Sequence, residues 1–210
     1  MNLNRTIARV LCSLTALGSL TAEARWKTPD EADTEVFGEK IEITVRKDGT
    51  YTIHRKSNIR ILTKRGISQY ATYDFNYDAD SAKIEKLSAA VINGGKRIEV
   101  DKKYIEDKPI ASGTTGFNSE HRVMIAFPEI TIGSVLSIEE KRNVTRTPVA
   151  GHFFWQRSYG HEFAKKGQTI VVNSELPLRY KISGAEGYID AQQSGCVFQR
   201  IRPTVRFESD

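Results

Sequence analysis

Cysteine is scarce in this sequence: two in 210 residues, Cys12 and Cys196. No apolar run is long enough to cross a bilayer as a helix, which takes about 20 residues. The longest run without a charge, Val10 to Thr21, stops well short of that. Beyond it, apolar residues nowhere hold a 3.6-residue period for three turns, which argues against a helical domain. There is no G-x-G-x-x-G or other phosphate-cradling loop and no H-E-x-x-H. The four histidines, His54, His121, His152 and His161, stand at spacings that no common metal site uses. An excess of one charge is also missing. Lys and Arg number 31 against 26 Asp and Glu, and the net +5 is scattered rather than gathered in a block. That pattern fits solvated strand faces and gives no footprint for nucleic acid.

What is present begins with the N-terminus. Arg5 and Arg9 precede the Val10–Thr21 run, and Ala22-Glu23-Ala24 places small residues where a signal peptidase needs them. Residues 1–24 therefore read as a signal helix cleaved before Arg25, with no stable membrane anchor afterwards. Cys12 lacks the Leu-small-small context of a lipidated cysteine. Cleavage removes Arg5, Arg9 and Glu23 and leaves a net charge of +4. It also removes Cys12, so Cys196 becomes the only thiol and no intrachain disulfide can form. The expected location is periplasmic or secreted.

Residues 25–36 are polar and acidic, a linker in this reading. Period-2 alternation then begins. Ile41, Ile43 and Val45 share one phase, and Asp48-Gly49 turns the chain. Tyr51, Ile53, Ile59 and Ile61 continue in a long second strand. Asp-Gly between alternating runs is a strong hairpin signal. Arg55 and Ser57 interrupt the apolar phase, which predicts a bulge or twist carrying them to an edge. Lys64-Arg65-Gly66 reads as the close of that strand. Tyr73, Phe75 and Tyr77 mark the next one. Leu87, Ala89 and Val91, the Asn93-Gly94-Gly95 turn, and Ile98 and Val100 mark a second hairpin. Asp101 to Ser119 reads as a long polar loop. Arg122 to Lys141 reads as a strand, a reversal marked by Pro128 and Gly133, and another strand. Thr169–Asn173 and Leu176–Ile182 are two further strands. The fold class is all-β, an antiparallel β-sandwich over residues 37–183, with 184–210 a tail.

As an ordered set, these marks resemble a known family. They run from the Asp48-Gly49 hairpin through Ile59-Arg60-Ile61-Leu62, Gly66, Val91-Ile92 and Gly94-Gly95-Lys96. Phe127-Pro128, Gly133, Pro148, the cluster His152-Phe153-Phe154-Trp155, and Pro177 with Tyr180 complete the set. The sequence resembles, over about Ile41 to Ile182, the bacterial domain of unknown function found in front of transglutaminase-like domains in exported proteins. The resemblance implies a β-sandwich, an envelope location and no catalytic residues of its own. The transglutaminase core that usually follows carries Cys, His and Asp in that order. Here Cys196 follows every histidine and has 14 residues after it, so base and orienting group are not where that chemistry needs them. A gene product truncated or disrupted before such a core would account for this, and the reading frame downstream would decide it.

The expected function is accordingly a non-enzymatic accessory or interaction module without metal or cofactor. Its partner would be a protein or peptide, with no nucleic acid bound. Two alternatives remain. One is an envelope module that grips a glycan or peptide through Phe154 or Trp155, since consecutive aromatics on a strand alternate between core and surface. The other is a relic of a transglutaminase-like cysteine enzyme using Cys196. Glu139 and Glu140 point to opposite strand faces and cannot share one bond as acid and base. Asp78 and Asp80 read as turn formers.

Overall fold

The computed structural model describes residues 31–110, 119–157, 164–181, 189–192 and 197–200. The signal segment 1–24, both cysteines and His161 lie outside the described residues.

Alternation yields strands β1 (Thr34–Val45) and β2 (Tyr51–Ile61), followed by a short helix α1 (Lys64–Tyr70). Then come β3 (Thr72–Asp78), β4 (Ala82–Asn93), β5 (Lys96–Glu99), β6 (Ile105–Pro109), β7 (Glu120–Ala126) and β8 (Val135–Val144). Four more follow: β9 (Ala164–Lys166), β10 (Thr169–Ser174), β11 (Ile189–Gln192) and β12 (Val197–Arg200). Among the described residues, nine strands form one sheet in the order β11-β12-β10-β1-β2-β8-β4-β5, with β9 also beside β1. The order β3-β7-β6 forms a second sheet. The Arg122–Lys141 stretch thus supplies one strand to each layer, and its Pro128–Gly133 reversal is the step between them.

The sandwich is antiparallel except at β1, which pairs in parallel with both β9 and β10. Both strands return after the long Thr145–Arg157 segment, and a crossover of that kind delivers a strand in the same direction as the one it joins.

Two apolar clusters fill the inner face of the large sheet. Ile59, Ile61, Ala89, Val91, Leu136 and Ile138 meet Val123 and Ile125 of the small sheet. Ile41, Ile43, Val45, Ile170 and Val172 are covered by Tyr51, Phe153, Trp155, Leu176 and Leu178. The Asp48-Gly49 turn packs against the aromatic segment. Gly49 sits at φ +83°, and a Cβ there would lie 2.7 Å from the His152 nitrogen, so only glycine fits.

Several expectations are corrected. Arg55 and Ser57 are not carried to an edge. β2 is an interior strand, Ser57 is buried, and the bulge sits opposite, in β1, where the register shifts between Phe37 and Lys40. Lys64–Gly66 starts a helix because the Thr63 side chain accepts from the Gly66 N–H and caps it. The Asp101–Ser119 stretch contains β6, a strand with one inward apolar residue, Ile105, that pairs along β7. Leu176–Ile182 is not a strand in its described part, 176–181. Pro177 cannot donate to a ladder, and β1 and β12 already occupy both sides of β10. Thr34–Val36, read as linker, begins β1, and the presumed tail supplies β11 and β12 to the large sheet.

Candidate functional site

The inner face of the large sheet carries a charged seam between its two apolar clusters. At its centre Glu39 is 2% exposed. The bulge places it there: Gly38, at φ +58°, adds the extra residue and turns the Glu39 side chain inward. Arg55 Nη2 reaches Glu39 Oε1 at 2.7 Å, and Arg157 Nη2 bonds both carboxylate oxygens at 3.0 and 3.1 Å. Gln168 donates to the same carboxylate. Arg55 also donates to the Tyr73 hydroxyl at 3.0 Å. Burial works against the Arg55 charge, but Tyr73, Glu39 and Glu140 outweigh it and hold the guanidinium pKa above its ordinary value. Next along the seam, Arg142 holds Glu140 at 2.5 Å and lies over the rings of Phe75 and Tyr77, 5.3 and 5.6 Å from their centroids. Through Glu39 the seam ties β1, β2 and the segment after the aromatic cluster together, while Glu140 and Arg142 pair within β8, Glu140 standing opposite Arg55 in the register.

At the end of the small sheet, Tyr77 donates to Asp107 at 2.7 Å, and His121 Nδ1 lies 2.9 Å from the other oxygen of the same carboxylate. Desolvation, the hydrogen bond and the Asp107 charge push the Tyr77 hydroxyl up to about 12. It stays a proton donor at ordinary pH and is a poor base or nucleophile. A carboxylate that orients an imidazole is half of a nucleophilic triad. Among the described residues, the side chain that bonds the His121 ring is Asp107.

The outer face of the large sheet is a lattice of ion pairs. Glu139 receives Lys86 and His54 at 2.8 Å and Lys56 at 3.4 Å, and these contacts lower its pKa to about 2. Glu140 lies on the opposite, inner face, as their adjacency requires. Asp78 accepts from the Asp80 N–H, Ser81 and Ser119, the turn role read from the sequence. No group of three or more His, Cys, Asp or Glu able to hold a metal occurs among the described residues.

The aromatic cluster splits as alternation predicts, although the segment is not a strand. Phe153 stacks edge-on against Tyr51 at 5.0 Å, and Trp155 packs on the second apolar cluster. Phe154 is 72% exposed. Of the two binding candidates, Phe154 is free to meet a ligand and Trp155 is largely committed to packing. The Glu39 seam and the Tyr77–Asp107–His121 group were missed. Arg55 within an apolar phase was the one sign of a buried partner, and Asp107 lay in a stretch that read as loop.

Comparison with solved structures finds the same fold in a putative protease from Parabacteroides distasonis, at 10% identity and a TM-score of 0.63, covering 85% of this chain. This chain spans 37% of that protein's length. Fainter likenesses join it to the CBM3a-L domain of a Clostridium thermocellum cellulosomal scaffoldin and to yeast LTA4 hydrolase in complex with bestatin. The first has a TM-score of 0.32 at 13% identity, covering 63% of this chain and 82% of that one. The second has 0.39 at 9%, covering 82% and 27%. No curated protein matches the sequence. Residues 47–201 match the model of a domain of unknown function with a solved structure, DUF3857, and the match reaches into the 184–210 tail far enough to include β11 and β12. By that match, over well more than half of its length, the chain belongs to the DUF3857 family.

Proposed function

We propose that this protein is a non-catalytic accessory module of the cell envelope, which holds or positions a partner and does no chemistry of its own. The observation that carries the reading is the commitment of its inward charges. Glu39 is bound by Arg55, Arg157 and the neutral Gln168, which joins β1 to β2 and to two connecting segments, and Glu140 is held by Arg142 within β8. Groups spent on such ties are poorly placed to change partners during a reaction. The fold also recurs as a part of a longer protein, which suits a module. Export rests on the Arg5/Arg9 segment, the apolar run and Ala22–Ala24. The partner would be a peptide-modifying protein of the transglutaminase-like kind, following the family resemblance.

The test is direct. The secreted or periplasmic protein should begin at Arg25 by mass spectrometry. The full chain should show no amidase or transamidase turnover, and Cys196→Ser should behave as the parent. Turnover abolished by Cys196→Ser would sink the proposal and favour the cysteine-enzyme alternative.

A second reading is favoured by the 72% exposure of Phe154. A bare ring at the end of a sandwich can stack on a sugar or fill a partner's apolar pocket. Binding to cell-wall fragments that disappears in Phe154→Ala, with the fold intact, would establish it.

A further inference from the structure

Among the described residues each sheet ends in strands with no further strand beside them, and proteins usually guard such edges by shortness, charge or proline. β5 has four residues, of which Lys96, Arg97 and Glu99 are exposed. β6 has five, including Glu106, Asp107 and Lys108, and closes on Pro109. β11 has four. β3 differs. It has seven residues, Thr72-Tyr73-Asp74-Phe75-Asn76-Tyr77-Asp78, with no Lys, Arg, Pro or Gly, and its register with β7 runs unbroken.

The direction of its free groups follows from the ladder. Ala79 N donates to Ser119 O and Phe127 N to Ala71 O, so the odd-numbered residues of this segment bond to β7. By alternation Asp74 and Asn76 aim their N–H and C=O groups off the sheet. Arg142 Nη1 approaches Asn76 O from that open side at 3.5 Å, as the assignment requires. A separate observation concerns the side chains. Val123 and Ile125 of β7 are 1% and 0% exposed, whereas Tyr73, Phe75 and Tyr77 on the same inner face of β3 are only half-buried. A strand laid along β3 would cover that aromatic row.

Resting on the accessory reading above, we propose that β3 is the docking edge, and that its occupant is an extended peptide segment of a partner with apolar and basic residues in alternation. Apolar side chains would face the aromatic row. Basic ones would face the outer positions Thr72, Asp74, Asn76 and Asp78, all exposed and carrying two carboxylates. Asp74 pairs with Arg122 of β7 at 3.7 Å and Arg146 acts on Asp78, while Glu120, which accepts from Asn76 at 3.0 Å, adds a third carboxylate and keeps the acidic groups in the majority. A second copy of this chain is a worse occupant. Full-length antiparallel pairing of β3 with itself, about Phe75, gathers the Asp74 and Asp78 carboxylates of both copies on one face as diagonal neighbours, and like charges so placed repel.

The probe is a short fluorescent peptide of alternating lysine and valine, titrated into the full chain and read by anisotropy. It should bind saturably, and an alternating glutamate–valine peptide should bind more weakly. Asn76→Pro removes an outward donor without touching the β7 ladder, and should weaken binding by about tenfold or more at unchanged circular dichroism. Asp74→Lys should reverse the preference between the two peptides. N-methylation of the lysine amides, which an antiparallel strand aims at Asp74 and Asn76, should abolish binding, and methylation of the valine amides should not. This arm decides the matter on the parent protein should Asn76→Pro fail to fold. Undiminished binding by a folded Asn76→Pro or by the lysine-methylated peptide would overturn the proposal. So would no binding at all, or reversible dimerisation that Asn76→Pro abolishes. None of these results touches the turnover test, so the accessory reading stands or falls separately.

Discussion

Glu39 is a carboxylate placed inside a sandwich by one extra residue in its strand. With Arg55, Arg157 and Gln168 all aimed at it, truncation strands two guanidinium groups in partly buried surroundings. Breaking a buried pair from one side costs about 3–5 kcal/mol, a large share of the ~5–15 kcal/mol that holds a domain folded. Glu39→Ala should therefore lower the urea midpoint sharply. Glu39→Gln, which keeps hydrogen-bonding oxygen but loses the charge, should fall between. Glu139 makes a milder prediction. Its pKa is lowered from 4.5 to about 2 by hydrogen bonds from Lys86 and His54 and by the charge of Lys56. A depressed folded-state pKa gives stability that is fully present above the unfolded value and lost as the proton returns. Stability should decline as pH falls from about 4.5 towards 2, and the decline should be shallower in Glu139→Gln. Urea melts across that window would show it, with the size of the effect reduced by the solvent around the cluster.

Helix α1 was not legible because it is only seven residues long and carries no apolar period. Its position depends on contacts from far along the chain. Thr63 Oγ1 donates to Asp33 at 2.6 Å, Arg65 pairs with the same carboxylate at 2.8 Å, and Leu62 N donates to Asp33 O. Gly66 lies so close to that segment that a Cβ would stand 2.3 Å from Asp33 O. Gly66→Ala should push α1 off the start of β1 and cost about 1–3 kcal/mol, the usual range for overpacking, measurable as a lower melting temperature. The gain in helix propensity from Gly to Ala would otherwise predict the opposite sign, so the experiment separates packing from propensity. The hairpins were legible for the opposite reason. Asp48-Gly49 and Gly94-Gly95 are local two-residue signals; Gly94-Gly95 joins the paired Asn93 and Lys96 directly, and Asp48-Gly49 sits in a longer loop between the paired Val45 and Tyr51.

Across the whole molecule, the large sheet is too wide for the small one to cover. The aromatic segment and Leu176–Leu178 close the remaining part of its inner face. Trp155→Ala should consequently cost about 2–3 kcal/mol, somewhat below the ~3–5 kcal/mol of a fully buried tryptophan. Phe154→Ala should change stability by no more than about 0.5 kcal/mol. Chemical denaturation of the two variants side by side checks this division; equal losses would mean that the segment does not pack as described. The sequence by itself determined the all-β character, the two tight hairpins and the inward phase of most strands, because alternation and turn chemistry act between neighbours. Only the tertiary structure decided that β1 runs parallel to β9 and β10, that Arg55 stays inside against Glu39, and that β3 is an open edge among the described residues. Those outcomes depend on which distant segments meet, and a one-dimensional pattern carries the face a residue takes but not the strand that will lie beside it.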